Sequence, residues 1–166
     1  ETRNRMNENY QVAGYVKLAK LWERKREEAI TLHQEYYKEK FRTVPNMELV
    51  DVYIDITGRK EIWKRPGMLQ LLGACKRNRI NCIATQTKAY LAANTEDFFF
   101  VIHYLFTLPN RIDIITEDAD YNINTIENAE QQREELLTAA KKYISVEPDR
   151  YLEWLYKIEE NIILET

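Results

Sequence analysis

The sequence predicts an α/β layer fold with a largely parallel sheet of at least four strands, followed by C-terminal helices. Three observations predict it. Short β-branched runs alternate with helix-period segments over the first two thirds of the chain; the connections between them are short; and beyond Thr116 the pattern turns to helix alone.

Each element has its own signal. Residues 1–9 are polar and read as a disordered leader or expression remnant. Gln11 to Ala19, QVAGYVKLA, has alternating apolar character and reads as a first strand. From Trp22 to Phe41, the positions Trp22, Ala29, Ile30, His33, Tyr36, Tyr37 and Phe41 recur at threes and fours, one stripe of an amphipathic helix ended before Pro45. Glu48 to Asp55 is a second strand, and Ile56 to Lys64 has no period and reads as a surface loop. Pro66 opens a helix with Met68, Leu71, Leu72 and Cys75 inward, and the basic run Lys76 to Arg79 suits its C-terminal dipole. Ile80 to Thr85 is a buried third strand. A helix runs from Thr95 to about Thr107, and Arg111 to Thr116 is the fourth strand. The tail predicts one helix over Thr125–Ile144, with Ala129, Leu136, Leu137, Ala140, Tyr143 and Ile144 on one side. A second begins at Asp149, with Leu152, Leu155, Tyr156 and Ile162 inward.

Composition limits the function. The chain has 166 residues, 45% hydrophobic and 31% charged, a length that suits one domain with an added helical tail. Residues 10–116 form the body and 117–166 an acidic two-helix tail. Up to Thr116 there are 19 Lys and Arg against 14 Asp and Glu; beyond it, 5 against 13. Only the body favours a polyanion. No apolar run is long enough to span a membrane. Cys75 and Cys82 are too few and too far apart for a metal motif, and read as buried free thiols in a reducing cytoplasm.

Most familiar chemistry is missing. His33 and His103 stand far apart on different helices, so no metal site is expected. Gly14, Gly58, Gly67 and Gly73 cannot build a phosphate cradle, which removes a nucleotide cofactor. Ser145 is the chain's one serine and lies in the tail, so a Ser-His-Asp hydrolase fails on inventory. Asp118, Asp120, Glu134 and Glu135 read as solvated faces.

Three blocks in order carry a more specific signal: GYVKLA closing the first strand, YIDITGRKE at Tyr53 to Glu61, and KRPGMLQLL at Lys64 to Leu72. Together they resemble the N-terminal catalytic domain of the serine recombinases, the resolvase/invertase family. The resemblance covers about residues 10–116. It implies a resolvase-like three-layer α/β/α domain, a bacterial and cytoplasmic setting in a mobile element, and no cofactor. It also implies a serine that attacks a DNA phosphodiester to form a 5′-phosphoserine link while arginines hold the phosphate.

Carried over position by position, the resemblance places Tyr15, Asp55 and Arg65 at retained positions, with Thr57-Gly58 for the family's Ser-Gly. Lys17 stands for an arginine, keeping charge without the planar fork. Ala19 takes the nucleophile position. In the loop after the third strand Ala89 stands for Ser or Asp, and Tyr90 and Ala93 for two arginines, while Leu91 and Asn94 match. No register rescues the site, because no arginine lies between Arg79 and Arg111. Thr57, Thr85 or Thr87 could attack in the serine's place, with nothing nearby to activate them.

The reading is therefore a recombinase-family domain that has lost strand cleavage and serves as a DNA-binding or assembly module in DNA recombination. It would be a homo- or hetero-oligomer with recombinase subunits, a dimer by resemblance. The alternatives are a protein-interaction domain without a DNA role and a weakly active strand-transfer enzyme with a substituted nucleophile. Arg59, Lys60, Lys64 and Arg65 are the DNA-contact candidates, joined around Trp63 by Lys76, Arg77 and Arg79. The bland reading of the same residues is ordinary loop and helix-end charge interleaved with Glu61, with Asp55 and Arg65 bracing the loop.

Overall fold

The computed structural model describes residues 9–127 and 129–165, so the expected leader lies, but for its last residue, outside the described residues. Four strands, β1 (Tyr10–Leu18), β2 (Met47–Ile56), β3 (Cys82–Thr85) and β4 (Asp113–Thr116), form one parallel sheet in the order β2-β1-β3-β4. Six helices join or follow them: α1 (Arg26–Phe41), α2 (Pro66–Lys76), α3 (Lys88–Leu91), α4 (Thr95–Phe106), α5 (Ala129–Val146) and α6 (Pro148–Glu165). Two 3-10 turns, Lys20–Lys25 and Ile62–Lys64, complete the connections. The second lies inside the segment expected to be loop.

The strand order decides which face each helix covers. The step from β1 to β2 runs one way along the sheet, and the steps from β2 to β3 and from β3 to β4 run the other way. Right-handed crossovers then put α1 on one face and α2 and α4 on the opposite face. Burial agrees. Val12, Val16, Cys82 and Ala84 pack with Tyr37 and Phe41 of α1, while Ala13, Tyr15, Ile83 and Ile114 pack with α2 and α4. The result is the expected three-layer α/β/α arrangement. Gly14 lets α1 approach: a Cβ there would sit 2.8–3.0 Å from the Tyr37 ring.

Helix α2 buries the expected stripe, with Met68, Leu71, Leu72 and Cys75 all inaccessible. Helix α1 departs from expectation at its start. Residues 20–25 form a 3-10 turn without a buried residue, and Trp22, expected to face inward, is 42% exposed. Only Ala29, Tyr37 and Phe41 of the expected stripe are fully buried.

The tail shares the core of the body. Helix α5 packs on α4, and α6 packs on α2 and on the 62–64 turn. Leu136, Ala140, Tyr151, Trp154, Ile158 and Ile162 belong to the same apolar cluster as α2 and α4. Polar hooks fix α6 in place: Glu159 takes an ion pair from Lys76 and a 2.9 Å hydrogen bond from the Tyr104 hydroxyl, and Lys157 lies 4.5 Å above the Trp63 ring. Its inward stripe is Tyr151, Trp154, Ile158 and Ile162, whereas Leu152 and Tyr156, expected inward, are 57% and 69% exposed. Tyr143 on α5 is likewise exposed, and the side chain of Ala129 lies outside the described residues. Among the described residues no helix is long and apolar enough to cross a membrane.

Candidate functional site

All four parallel strands end on one edge of the sheet, at Leu18, Ile56, Thr85 and Thr116. The direction of winding reverses between β1 and β3, and in open α/β sheets the crevice at such a reversal is where ligands bind. The residues of the first two sequence blocks, and the loop after β3, converge there.

Beneath that edge lies a closed polar network. Asp55, near the end of β2, is 4% exposed and accepts three hydrogen bonds: from the Tyr15 hydroxyl at 2.6 Å and from the backbone N–H groups of Gly67 and Met68 at 2.8 and 2.9 Å. It supplies the cap that α2 lacks locally, since the N-cap residue Arg65 makes no capping bond of its own. Gly67 allows this approach, because a Cβ there would come within 3.0 Å of the carboxylate. Burial raises the Tyr15 phenol well above its ordinary range, with Asp55 adding to the rise against an opposing pull from Arg65. The phenol therefore stays protonated and donates.

Arg65 is fully buried. Its Nη1 donates to the Tyr15 hydroxyl at 3.2 Å and the Tyr90 carbonyl at 2.8 Å, and its Nη2 to the Leu91 carbonyl at 3.1 Å. Those carbonyls end α3, so the guanidinium sits at the negative end of a short helix and ties the loop after β3 to the sheet. Its Nε finds no partner. As a DNA-contact candidate Arg65 is corrected by its position: every donor it uses points into the protein.

The outer positions differ. Ala19 is exposed at the end of β1, and Ala89 and Ala93 are exposed on the loop after β3. Tyr90 is half-buried and packs against the apolar clusters on both faces. Lys17 donates to the Thr57 carbonyl at 3.3 Å, and its ammonium is held below the ordinary value by partial burial and then by Arg65. The threonine hydroxyls are engaged in structure. Thr57 accepts from Arg59 N at 3.0 Å, Thr85 donates to the Tyr15 carbonyl at 2.8 Å, and Thr87 donates to Asp118 at 2.8 Å. Asn94 caps α4 through Asp97 N at 2.8 Å. Ser145 donates back to the Lys142 carbonyl on α5. Among the described residues no group of His, Cys, Asp and Glu could hold a metal ion.

The expected basic patch divides. Helix α2 runs away from the strand ends, so Arg77 and Arg79 lie at the opposite edge of the sheet, about 16 Å of helix distant from Pro66. Lys76 is taken by Glu159, Trp63 is covered by Lys157, and Lys64 pairs with Glu61 at 3.8 Å. Of the expected patch, Arg59 and Lys60 stay exposed near the strand ends with no ion pair among the described residues. Sequence does not single out Lys20, Arg24 and Lys25 on the 20–25 turn, which follows β1 and lies against β2; the signal is KLWERK, a basic run around a tryptophan directly after β1.

One comparison bears on this geometry. The N-terminal catalytic domain of TP901-1 integrase superposes with a TM-score of 0.55 at 17% identity, over 84% of this chain and 97% of that one. The fold is that of a serine recombinase catalytic domain. The C-terminal catalytic domain of ISC1926 TnpA, an IS607-like serine recombinase, aligns over 81% of this chain and 99% of its own, at 16% identity and a TM-score of 0.47. No family model matches the sequence, and no curated protein matches it. The aligned 84% is more than residues 10–116 alone, so the superposition extends beyond the body into part of the tail.

Proposed function

We propose that this chain is a serine-recombinase-type domain linked to DNA recombination that does not cut DNA and acts as a DNA-binding or assembly module beside active recombinase subunits. The observation that carries the reading is Ala19. The chain ends β1 with an exposed methyl group where the resemblance puts the nucleophile. Covalent strand cleavage forms an oxygen–phosphorus bond to the protein as the sugar oxygen leaves, and a methyl group has no lone pair to form it. The cations that would stabilise the phosphoryl transition state are also wanting. Tyr90 and Ala93 carry no charge, and Arg65 spends its donors on the protein's own carbonyls. Threonine attack is disfavoured because each candidate hydroxyl already serves a backbone or side-chain partner.

The test is incubation of the chain with supercoiled plasmid, followed by denaturing gel analysis for nicked and protein-linked DNA. Neither the unmodified chain nor Ala19→Ser is expected to yield either product, since the loop arginines are still missing in the variant. A covalent adduct from the unmodified chain would mean a weakly active strand-transfer enzyme with a substituted nucleophile.

A second reading, a protein-interaction domain without DNA contact, has its own support. Helix α6 turns Leu152, Tyr156 and Ile163 outward at 57%, 69% and 71% exposure on an acidic tail that suits phosphate poorly. Fluorescence anisotropy of a labelled duplex separates the two: salt-sensitive binding supports the first reading, and no binding at low salt supports the second.

A further inference from the structure

We infer that the 3-10 turn Lys20–Lys25 is the element that grips duplex DNA, its cations on phosphates and Leu21 and Trp22 entering a groove as an apolar wedge. This rests on the DNA-binding reading and names the part of the molecule that performs it.

The turn projects from the functional edge. It follows Ala19 directly, is anchored at its base by the Trp22 N–H to Ala19 carbonyl bond at 3.0 Å, and lies against the end of β2. None of its residues is buried. Leu21 is 71% and Trp22 42% exposed, an adjacent apolar pair held in solvent at the tip of a turn. Single exposed apolar side chains need no explanation, but adjacent ones framed by charge mark a contact surface.

The framing charge selects the partner. Among the described residues Lys20, Arg24 and Lys25 are exposed and make no ion pair, while Arg26 is occupied by Glu23 at 3.1 Å. The strand ends add to the field, for Lys60 is among the groups that hold the Lys17 ammonium down. A basic rim around an apolar tip complements a phosphate backbone with a groove between its strands, where apolar wedges insert between base steps. The turn is a projection rather than a trough, which suits a duplex groove better than a single strand laid in a channel. Glu27 and Glu28 begin an acidic outer face on α1 that confines contact to the turn.

The experiment is anisotropy of a labelled ~40-bp duplex against the full chain across a salt series. Replacing Lys20, Arg24 and Lys25 together by alanine is expected to make the log-log salt slope shallower by about 2.7, at ~0.9 per phosphate contact. The double change Leu21→Ala and Trp22→Ala should weaken binding about tenfold and leave the slope unaltered. Tryptophan emission should change on adding duplex, and that change should be lost in Trp22→Phe, since Trp154 is buried and Trp63 lies under Lys157. Arg77→Ala with Arg79→Ala, at the far edge, should bind as the unmodified chain does. The lysine and arginine positions are exposed, so thermal melts of the charge variants should coincide with that of the unmodified chain, and the Trp22 variants are assayed well below their own melting points. Should the unmodified chain bind duplex and the turn variants bind equally well, the inference falls and the DNA-binding reading stands. If the unmodified chain fails to bind DNA, that reading falls and takes the inference with it. Preference for a single strand, or for phosphatidylserine vesicles, over the duplex overturns the assignment of the turn.

Discussion

Arg65→Met is the sharpest test of the buried network. Methionine roughly fills the space of the arginine stem but removes its charge and all its donors. The Tyr90 and Leu91 carbonyls and the Tyr15 hydroxyl each lose a bond made by a charged group, and the Tyr15 hydroxyl is the one that donates to Asp55, which is 4% exposed. Removing one partner from a buried charged arrangement costs about 3–5 kcal/mol. With an unfolding entropy of about 2.1 cal/mol/K per residue, a chain of 166 residues should then melt about 9–14 °C lower. Arg65→Lys keeps the charge but cannot span both carbonyls, and should lose about 1.5–3 kcal/mol. Circular dichroism melts of the three proteins at one pH measure the series directly. A drop of less than about 3 °C for Arg65→Met would refute the reasoning, because it would place the guanidinium at the surface, where DNA affinity and not stability would respond.

Four further outcomes are expected. Burial raises both thiols, so Cys75 and Cys82 should resist Ellman's reagent at pH 8 in the native chain and both react in denaturant; fast native labelling would contradict their placement. Gly14→Ala should destabilise by about 1–3 kcal/mol through its clash with the Tyr37 ring, and combining it with Tyr37→Leu should recover part of that loss in a double-mutant cycle. Burial lowers His33 and His103 below 6.5, so the unfolded chain takes up their protons first. Their contribution to stability is present above that value and is lost as pH falls below it, so replacing both by Gln should flatten the melting profile between about pH 7 and 5. Trp154→Ala should cost about 3–5 kcal/mol in a single transition if α6 shares the body's core, whereas a separate early transition would make the tail an independent unit.

The strands, and helices α2 and α4, were legible because their signals are local. The stripe of Met68, Leu71, Leu72 and Cys75 has a single apolar face, and that face is inside. Helix α6 offers two such faces, and periodicity cannot choose between them. Long-range partners choose: Phe100 meets Tyr151 and Trp154 at ring separations of 5.2 and 5.6 Å, and Glu159 reaches Lys76 and Tyr104. Periodicity places Trp22–Lys25 in the helix because Trp22 fits the stripe by count, although the chain there winds more tightly than the 3.6 period assumes. Sequence leaves Arg65 open between a DNA contact and a brace for the loop, because arginines usually lie at the surface. Its partners lie 25, 26 and 50 residues away, and no local pattern encodes them.

Exposure sorts the positions that the resemblance maps. Tyr15, Asp55, Arg65 and Leu91, which agree with the recombinase pattern, are buried at 0%, 4%, 0% and 0%, while Asn94 agrees too but is exposed and caps α4. Ala19, Ala89 and Ala93, where it departs, are exposed, and Lys17 and Tyr90 are intermediate. The division has a physical basis. Tyr15, Asp55 and Arg65 cap α2, hold the loop after β3 and join β1 to β2 through one connected set of hydrogen bonds, so replacing any of them leaves buried polar groups unsatisfied. A hydroxyl at position 19 or a guanidinium at position 93 would stand in solvent and add nothing to the fold; only phosphoryl transfer would need them. Substitution at such places is therefore nearly free for stability, whereas the network beneath cannot be altered without loosening α2 and the loop. The same chemistry explains why Tyr15, Asp55 and Arg65 keep the pattern within the three blocks while the exposed positions Ala19 and Ala93 depart from it. Under the function proposed above, a domain that binds or assembles without cutting needs the buried network and not the exposed positions.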